Sequence, residues 1–411
     1  MKLRTGKPVW LESKGVALPV SRLSRAFTRC DVAIIGAGIT GALVADQLLR
    51  AGLDVVMVDK RRAGFGSTAA STGLLMIQPD SSIGELTRLH DRRTARRVYQ
   101  LGQRAIQDLG RLTRELKLDC GWAARRTLYV ASNQRGAAML RAERKRSQRI
   151  GFPVETMTAE RLRRDYGLSF SAGLSAAGAA QVNALQLTRG VLRRAQRNPK
   201  FALFQNTRVT SLREERDEVE LRTHDRRTIQ ARFVVVAAGY ESRQFVRSGL
   251  VRLRSTYVIA SKPFPPARLQ PLRALMWETA RPYFYLRTTA DHRIIFGGRD
   301  DAFDTQSGQR RRLRRKTREL EAQFSQLWPE LAFEAEFAWS GTFAETTDGL
   351  PCIGPKVPGS RVYYALGYGG NGITFSQIAA RLLRDACTGK KNPDAALFGF
   401  RRLRSGRHRK D

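Results

Sequence analysis

Gly36-Ala37-Gly38-Ile39-Thr40-Gly41 is the first stretch whose residue types and spacing could do chemistry. Gly36 permits a tight turn out of a strand, Gly38 lets the backbone approach a pyrophosphate, and Gly41 lets a following helix pack closely on a sheet. The free N–H groups at the start of that helix, around Ile39 and Thr40, would face the phosphates. Asp59 lies eighteen positions past Gly41, with Lys60 beside it. An acid at that place accepts hydrogen bonds from a ribose hydroxyl. A merely structural glycine turn would leave Asp59 unexplained, so the spacing predicts a dinucleotide site.

A second small-residue stretch follows, with Gly66, Ser67, Thr68, Ser71, Thr72 and Gly73. Its hydroxyls can donate to another part of a diphosphate, and its glycines let the chain pass a large ring. A nicotinamide domain would instead run into an ordinary helix and a third parallel strand, so this loop favours a flavin dinucleotide over NAD. Near the end of the chain, Gly367, Gly369, Gly370 and Gly372 surround Asn371 and precede Ile373 and an apolar helix. Such a turn makes a nest of N–H groups. Beside a flavin it would stabilise the charge of the reduced ring and favour hydride uptake. A bare hairpin turn is the bland alternative.

These motifs need a framework to hold them. Asp31 to Ile35 reads as a buried strand, 41–51 as an apolar helix closed by Gly52, and Asp54 to Asp59 as a second buried strand. That is a β-α-β unit of the size a parallel crossover requires. One long amphipathic helix is expected from Ile83 to Leu116. Strands are expected at 127–131, 201–204, 219–222 and 233–238, and helices at 134–150, 158–165, 184–196 and 310–328. Residues 251–300 alternate short strands with turns, 339–375 are turn-rich, and a last helix covers 376–386.

The chain has 411 residues, with 42% hydrophobic and 27% charged. That length suggests two packed domains. No apolar run approaches the roughly 18 residues of a membrane-spanning helix. The first 30 residues are basic without a continuous apolar stretch, so a secretory leader is not expected. The four cysteines (Cys30, Cys120, Cys352, Cys387) and four histidines (His90, His224, His292, His408) lack metal-ligand or disulfide spacing. No metal is expected, and a cytoplasmic location fits best. The charge is +36, from 73 Lys and Arg against 37 Asp and Glu. It runs through Arg92-Arg93, 141–149, 310–318 and 401–410. A solvated basic surface explains this spread, and an anionic partner, RNA or a membrane surface, is the alternative.

Over roughly residues 30–400 the chain resembles the D-amino-acid-oxidase-like family of FAD-dependent oxidoreductases. That group includes glycine and sarcosine oxidases, amino-acid dehydrogenases and gamma-glutamylputrescine oxidase. Four blocks carry the likeness: Gly36 to Asp59; Gly66 to Gly73; Thr207-Arg208-Val209 with Val236-Ala237-Ala238-Gly239; and Thr347 to Gly354 with Gly367 to Ile373. The resemblance implies that Val209 lends its backbone to the adenine and that Ala238 and Gly239 lie against the cofactor. It implies a turn at Gly369 to Ile373 closing over the flavin's carbonyl edge.

Two departures bear on substrate. Where glycine-oxidase-type members carry an arginine that clamps the substrate carboxylate, this chain has Phe343. Arg281 could replace it, or be an ordinary surface cation. Where sarcosine oxidases attach flavin through cysteine, this chain has Gly341, so FAD is expected to be non-covalent. Cys352 is expected to be a buried small residue. Tyr283 and Tyr285 share a strand face and could wall an amine site, with Tyr257 a further candidate, or simply pack in a core.

The expected fold is α/β: a Rossmann-type FAD-binding domain with a discontinuous second α+β substrate domain on a mainly antiparallel sheet. Residues 1–29 are expected as an irregular leader. The FAD domain would comprise 30–90, 170–245 and 335–390, the substrate domain 91–169 and 246–334, and 391–411 a basic tail. The expected activity is oxidation of the C–N bond of an amine or amino acid by hydride transfer to flavin N5. No catalytic acid or base is assigned, and oxygen or a respiratory acceptor would reoxidise the flavin. The alternatives are a 2-hydroxy-acid or sugar-phosphate dehydrogenase, and a flavoprotein acting on RNA or an anionic membrane surface.

Overall fold

The β-α-β unit is built by the strand Phe27–Ile35, the helix Ile39–Arg50 and the strand Val55–Val58 of a computed structural model. The described residues are 4–12, 18, 27–246, 249–303 and 308–405. Gly41 sits where a Cβ would come within 1.9 Å of the Gly36 carbonyl oxygen, so the helix approaches the turn as only glycine allows. Gly52 ends that helix at φ +82°.

This unit lies in an eight-stranded sheet. Cys352–Pro355, Val362–Leu366, Thr228–Val236, Phe27–Ile35, Val55–Val58 and Phe201–Phe204 are neighbours in that order. The first of these five pairings is antiparallel and the other four are parallel. The hairpin Val209–Glu214 with Val219–Thr223 joins the Thr228–Val236 strand. The helices Ile39–Arg50, Ala184–Ala195, Arg92–Glu115 and Gly372–Cys387 pack together over this sheet. They bury Ile34, Leu43, Leu48, Leu109, Leu187 and Ala379 in one core.

A ten-stranded sheet stands beside the first. From one edge it runs Arg4–Gly6, Ala335–Thr346, Val251–Ser261, Ile294–Ala302, Tyr285–Thr288, Leu275–Glu278, Ala123–Val130, Ala172–Gln181 and Leu74–Leu75, with Glu155–Thr158 also on Ala172–Gln181. Every pairing is antiparallel except Leu275–Glu278 with Ala123–Val130. The helix Gln309–Leu327 covers one face, packing Leu320 and Phe324 on Phe284 and Phe296. The α/β class and the antiparallel second sheet are as expected.

Several local expectations are corrected. The helix from Ile83 to Leu116 is two helices, Ile83–Leu89 and Arg92–Glu115. Ser82 starts the first with a capping box, and Asp91 starts the second by accepting the Thr94 N–H. The region 251–300 opens with an eleven-residue strand, and 339–375 begins inside a twelve-residue one. The last helix starts at Gly372, not Ser376. Ala172–Gln181, rich in Ala and Gly, forms a strand that carries no β-branched signal.

Parts of the presumed leader are ordered: Arg4–Gly6 is an edge strand, and Trp10 is buried with its indole donating to the Ser71 carbonyl. The sheets also divide the chain differently from the expected domains. Leu74–Leu75, Ala172–Gln181 and Ala335–Thr346, placed with the FAD domain, belong to the second sheet. Arg92–Glu115, placed with the substrate domain, packs on Gly372–Cys387. The start of the tail is helical, with Arg402 donating to Asp348 at 2.6 Å. Leader residues 1–3, 13–17 and 19–26, and tail residues 406–411 with His408, lie outside the described residues. Among the described residues no helix is long and apolar enough to cross a membrane, and no group of three His, Cys, Asp or Glu is placed to hold a metal ion.

Candidate active site

One trough runs from the Gly36 turn to the ten-stranded sheet. It encloses about 1950 Å³ counted to its open mouth. Its lining is continuous from the Gly36 turn to Tyr283 and Tyr285, so one space joins the two ends.

At one end, Gly36 takes φ +113° and a Cβ there would stand 2.4 Å from the Ala237 carbonyl oxygen. Asp59 holds the turn: its carboxylate accepts the Ala37 N–H at 2.7 Å and the Arg61 N–H at 2.8 Å. Burial raises its proton affinity, while those two N–H groups and Arg61 favour the anion. Lys60 and Arg61 both pair with Glu241, which keeps them at the trough wall. Thr68 Oγ1 accepts the Ile39 N–H at 3.0 Å. Thr40 and Ser376 hydroxyls meet at 2.7 Å, joining the first helix to the last.

Gly36, Gly38, Ile39, Thr40, Asp59, Lys60, Gly66, Ser67, Thr68, Ser71, Thr72, Val209, Ala238, Gly239, Gly369, Gly370, Gly372 and Ile373 all line this one trough. Gly41, Gly73 and Asn371 lie behind its wall. Gly73, at φ +71°, closes against the Val182 carbonyl. Asn371 donates to the carbonyls of Met76 and Gln78 at 3.2 and 2.9 Å, fixing the glycine turn to a neighbouring segment.

The far end is a chamber walled by Trp277, Tyr283, Tyr285 and Phe343. Tyr283 and Tyr285 share a face, with ring centroids 6.2 Å apart, while Phe284 points into the opposite core. Arg281 lines the chamber, 4.8 Å from the Tyr283 ring, and donates to the Asp80 carbonyl at 3.1 Å. Tyr257 is a correction: it is 3% exposed and packs in the core on the other face of its strand. A strand alternates its faces, so the adjacent Thr256 reaches the chamber instead, with its hydroxyl 2.9 Å from that of Tyr285.

Two acids in the chamber carried no recognisable motif. Asp80 accepts the Gly370 N–H at 2.5 Å and the Tyr283 hydroxyl at 3.4 Å. Burial raises its proton affinity, and it helps hold Tyr283 well above the ordinary tyrosine range. Asp300 also lines the chamber. Burial, with Asp80 adding to it, pushes its carboxyl up to about 6 against Thr256 and Arg254. Only the Pro79-Asp80 turn pair could have hinted at either.

The residues fit FAD. A Cβ on Gly36 or Gly41 would strike the Ala237 or Gly36 carbonyl, so these glycines let the turn close tightly under a diphosphate. Ser67 Oγ lines the trough, is buried and has no hydrogen-bond partner. A phosphate oxygen would supply the acceptor it lacks. The Gly36 to Gly41 turn, Ser67 and Thr68 would hold the diphosphate, Asp59 the ribose, and the Val209 backbone the adenine. The turn ending in the Gly372–Cys387 helix would face the flavin ring. Gly341 lines the trough, and Cys30, Cys120, Cys352 and Cys387 are buried away from it.

The family sequence model described as FAD dependent oxidoreductase matches residues 31–386. Gamma-glutamylputrescine oxidoreductase of Escherichia coli (strain K12) is 24% identical over 385 residues, 90% of this chain and 86% of that protein. Glycine oxidase of Geobacillus kaustophilus (strain HTA426) is 26% identical over 394 residues, 91% of this chain and 97% of that protein. The crystal structure of glycine oxidase from Geobacillus kaustophilus superimposes with a TM-score of 0.77 at 23% identity, covering 91% of this chain and 98% of the other.

Proposed function

Because this chain belongs to the family of FAD dependent oxidoreductases, we propose that it oxidises the C–N bond of an amine in the chamber formed by Trp277, Tyr283, Tyr285 and Phe343. The observation that carries this reading is Phe343 among those aromatic walls. The place where a carboxylate-clamping arginine would stand is apolar, and Arg281, the alternative clamp, is engaged by the Asp80 carbonyl, which supports amines over α-amino acids. The names of the relatives, glycine oxidase and gamma-glutamylputrescine oxidoreductase, support substrates with C–N bonds.

FAD, when bound, supplies the acceptor for the hydride that leaves the carbon beside nitrogen as the nitrogen lone pair forms the C=N bond. The chain's own residues orient and desolvate. Tyr283, held by Asp80, and Tyr285, held by Thr256, form one wall that orients the amine. Only the neutral form of the reacting nitrogen has the lone pair that drives hydride loss, and the Arg281 guanidinium in the chamber disfavours a positive charge near it. The imine leaves and water hydrolyses it. Non-covalent FAD is supported by Gly341 at the wall and by the placement of all four cysteines away from the trough.

The test is anaerobic mixing of the flavin-loaded protein with amines, amino acids and 2-hydroxy acids. Amines should bleach the flavin. Bleaching by hydroxy acids alone selects the dehydrogenase alternative.

A second reading, RNA binding by this flavoprotein, is favoured by a groove outside the trough. Arg111, Arg114, Arg125 and Arg126 line it together with Trp122. Guanidiniums with an aromatic ring suit single-stranded nucleic acid. Retention on RNA should weaken steeply with salt and fall in Arg114→Glu/Arg125→Glu. Retention unchanged by salt or by the variant contradicts it.

A further inference from the structure

Asp80, Asp300 and Glu345 lie among Arg254, Arg281 and Arg252 at the chamber and its rim. Arg281 is engaged by the Asp80 carbonyl and lies near the Asp80 charge. Arg254 Nε lies 3.8 Å from Glu345 Oε2. Asp300 lines the trough among these groups. Thr256 nearby favours its charged form, yet Oδ1 is buried and has no hydrogen-bond partner.

A buried carboxylate is costly unless a cation and further donors satisfy it. Arg254 draws the Asp300 charge only in part, because burial and Asp80 outweigh it. Asp300 lines the same trough as Trp277, Tyr283 and Tyr285, and aromatic faces attract cations. Thr256 stands between the two sets: its hydroxyl bonds Tyr285 at 2.9 Å, and it favours the charged form of Asp300. A ligand ammonium would meet a carboxylate and ring faces together. A ligand carboxylate would meet Asp80 and Asp300.

We propose that Asp300 is a specificity-determining residue that binds a second, cationic nitrogen of the substrate, so that the preferred substrates are diamines or polyamines. The proposal rests on amine oxidation as the reaction of this chamber. One nitrogen lies neutral against the tyrosines and reacts, and the other stays charged on Asp300.

The test uses binding to flavin-loaded protein, read from the perturbed flavin absorbance. One probe is a butane-linked diamine with both carbons beside nitrogen fully methylated. The other is the monoamine of equal length with its α-carbon methylated in the same way. Neither can give up hydride, so the readout stands whether or not amines are oxidised. The diamine should bind about tenfold or more tightly than the monoamine. Asp300→Asn should abolish that preference while monoamine binding stays within about threefold. A wild-type ratio near one overturns the proposal, even if the variant fails to hold flavin. A preference that survives Asp300→Asn overturns it too. Failure of the reaction reading would show separately, as oxidisable diamines that never bleach the flavin.

Discussion

The Arg287 guanidinium donates to the Gly73 carbonyl at 2.9 Å, and the arginine is 1% exposed. The same nitrogen reaches the carbonyls of Thr72 and Val182 at 3.1 and 2.8 Å. One buried cation from the antiparallel sheet therefore closes the loop beside the nucleotide trough. Burial, with Arg125 nearby, lowers its proton affinity, and the three carbonyls offset that cost.

Arg287→Met should leave those carbonyls short of a donor and cost about 3 kcal/mol of stability. Denaturant unfolding of the flavin-loaded protein measures it. A loss below about 1 kcal/mol would mean that water replaces the guanidinium.

Ser67→Ala should weaken FAD binding about tenfold while leaving the fold intact, because a hydrogen bond to a charged phosphate is among the stronger ones. Titration of flavin-free protein with FAD, read by flavin fluorescence, gives the constant. Unchanged affinity would place the diphosphate elsewhere.

Asp300 makes stability depend on pH. Its folded value of about 6 lies above the ordinary 3.8. Between those values the folded protein keeps a proton that the unfolded chain has lost. Stability should therefore fall as pH rises from about 4 to about 6 and level off above, by up to about 3 kcal/mol. Asp80, Glu345, Arg254, Thr256 and Tyr285 surround this group, and Asp80 shifts in the same direction. The difference between wild type and Asp300→Asn isolates the Asp300 share, and parallel pH curves for the two would contradict it.

Phe343→Arg would install a guanidinium at the chamber wall. The ratio of kcat/KM for α-amino acids over amines should rise about tenfold or more, as a bidentate clamp provides. A ratio that does not move would show that the carboxylate of an amino acid does not reach this wall.

The parts legible in the sequence were those in which chemistry is local. The Gly36 turn, Asp59 and the glycines before Ile373 act through backbone conformation and short spacing, and they line one trough. Tyr285 opens the strand Tyr285–Thr288 and Tyr283 lies just before it, yet both line the trough as the alternation of faces suggested. Tyr257 was misread by the same rule, since only its register against neighbouring strands decides which face meets the cofactor side. Asp80, Asp300 and Arg287 are single residues whose partners come from other segments, so no spacing announced them. The break at Asp91 was visible in principle as an N-cap aspartate, but the apolar period continues across it.

The most direct test is an anaerobic titration of the flavin-loaded protein with a diamine. The account predicts loss of the oxidised flavin absorbance at one equivalent of amine per flavin, with the matching aldehyde recovered. Protein that purifies and reconstitutes without flavin, or flavin that no amine bleaches while a 2-hydroxy acid does, would contradict it.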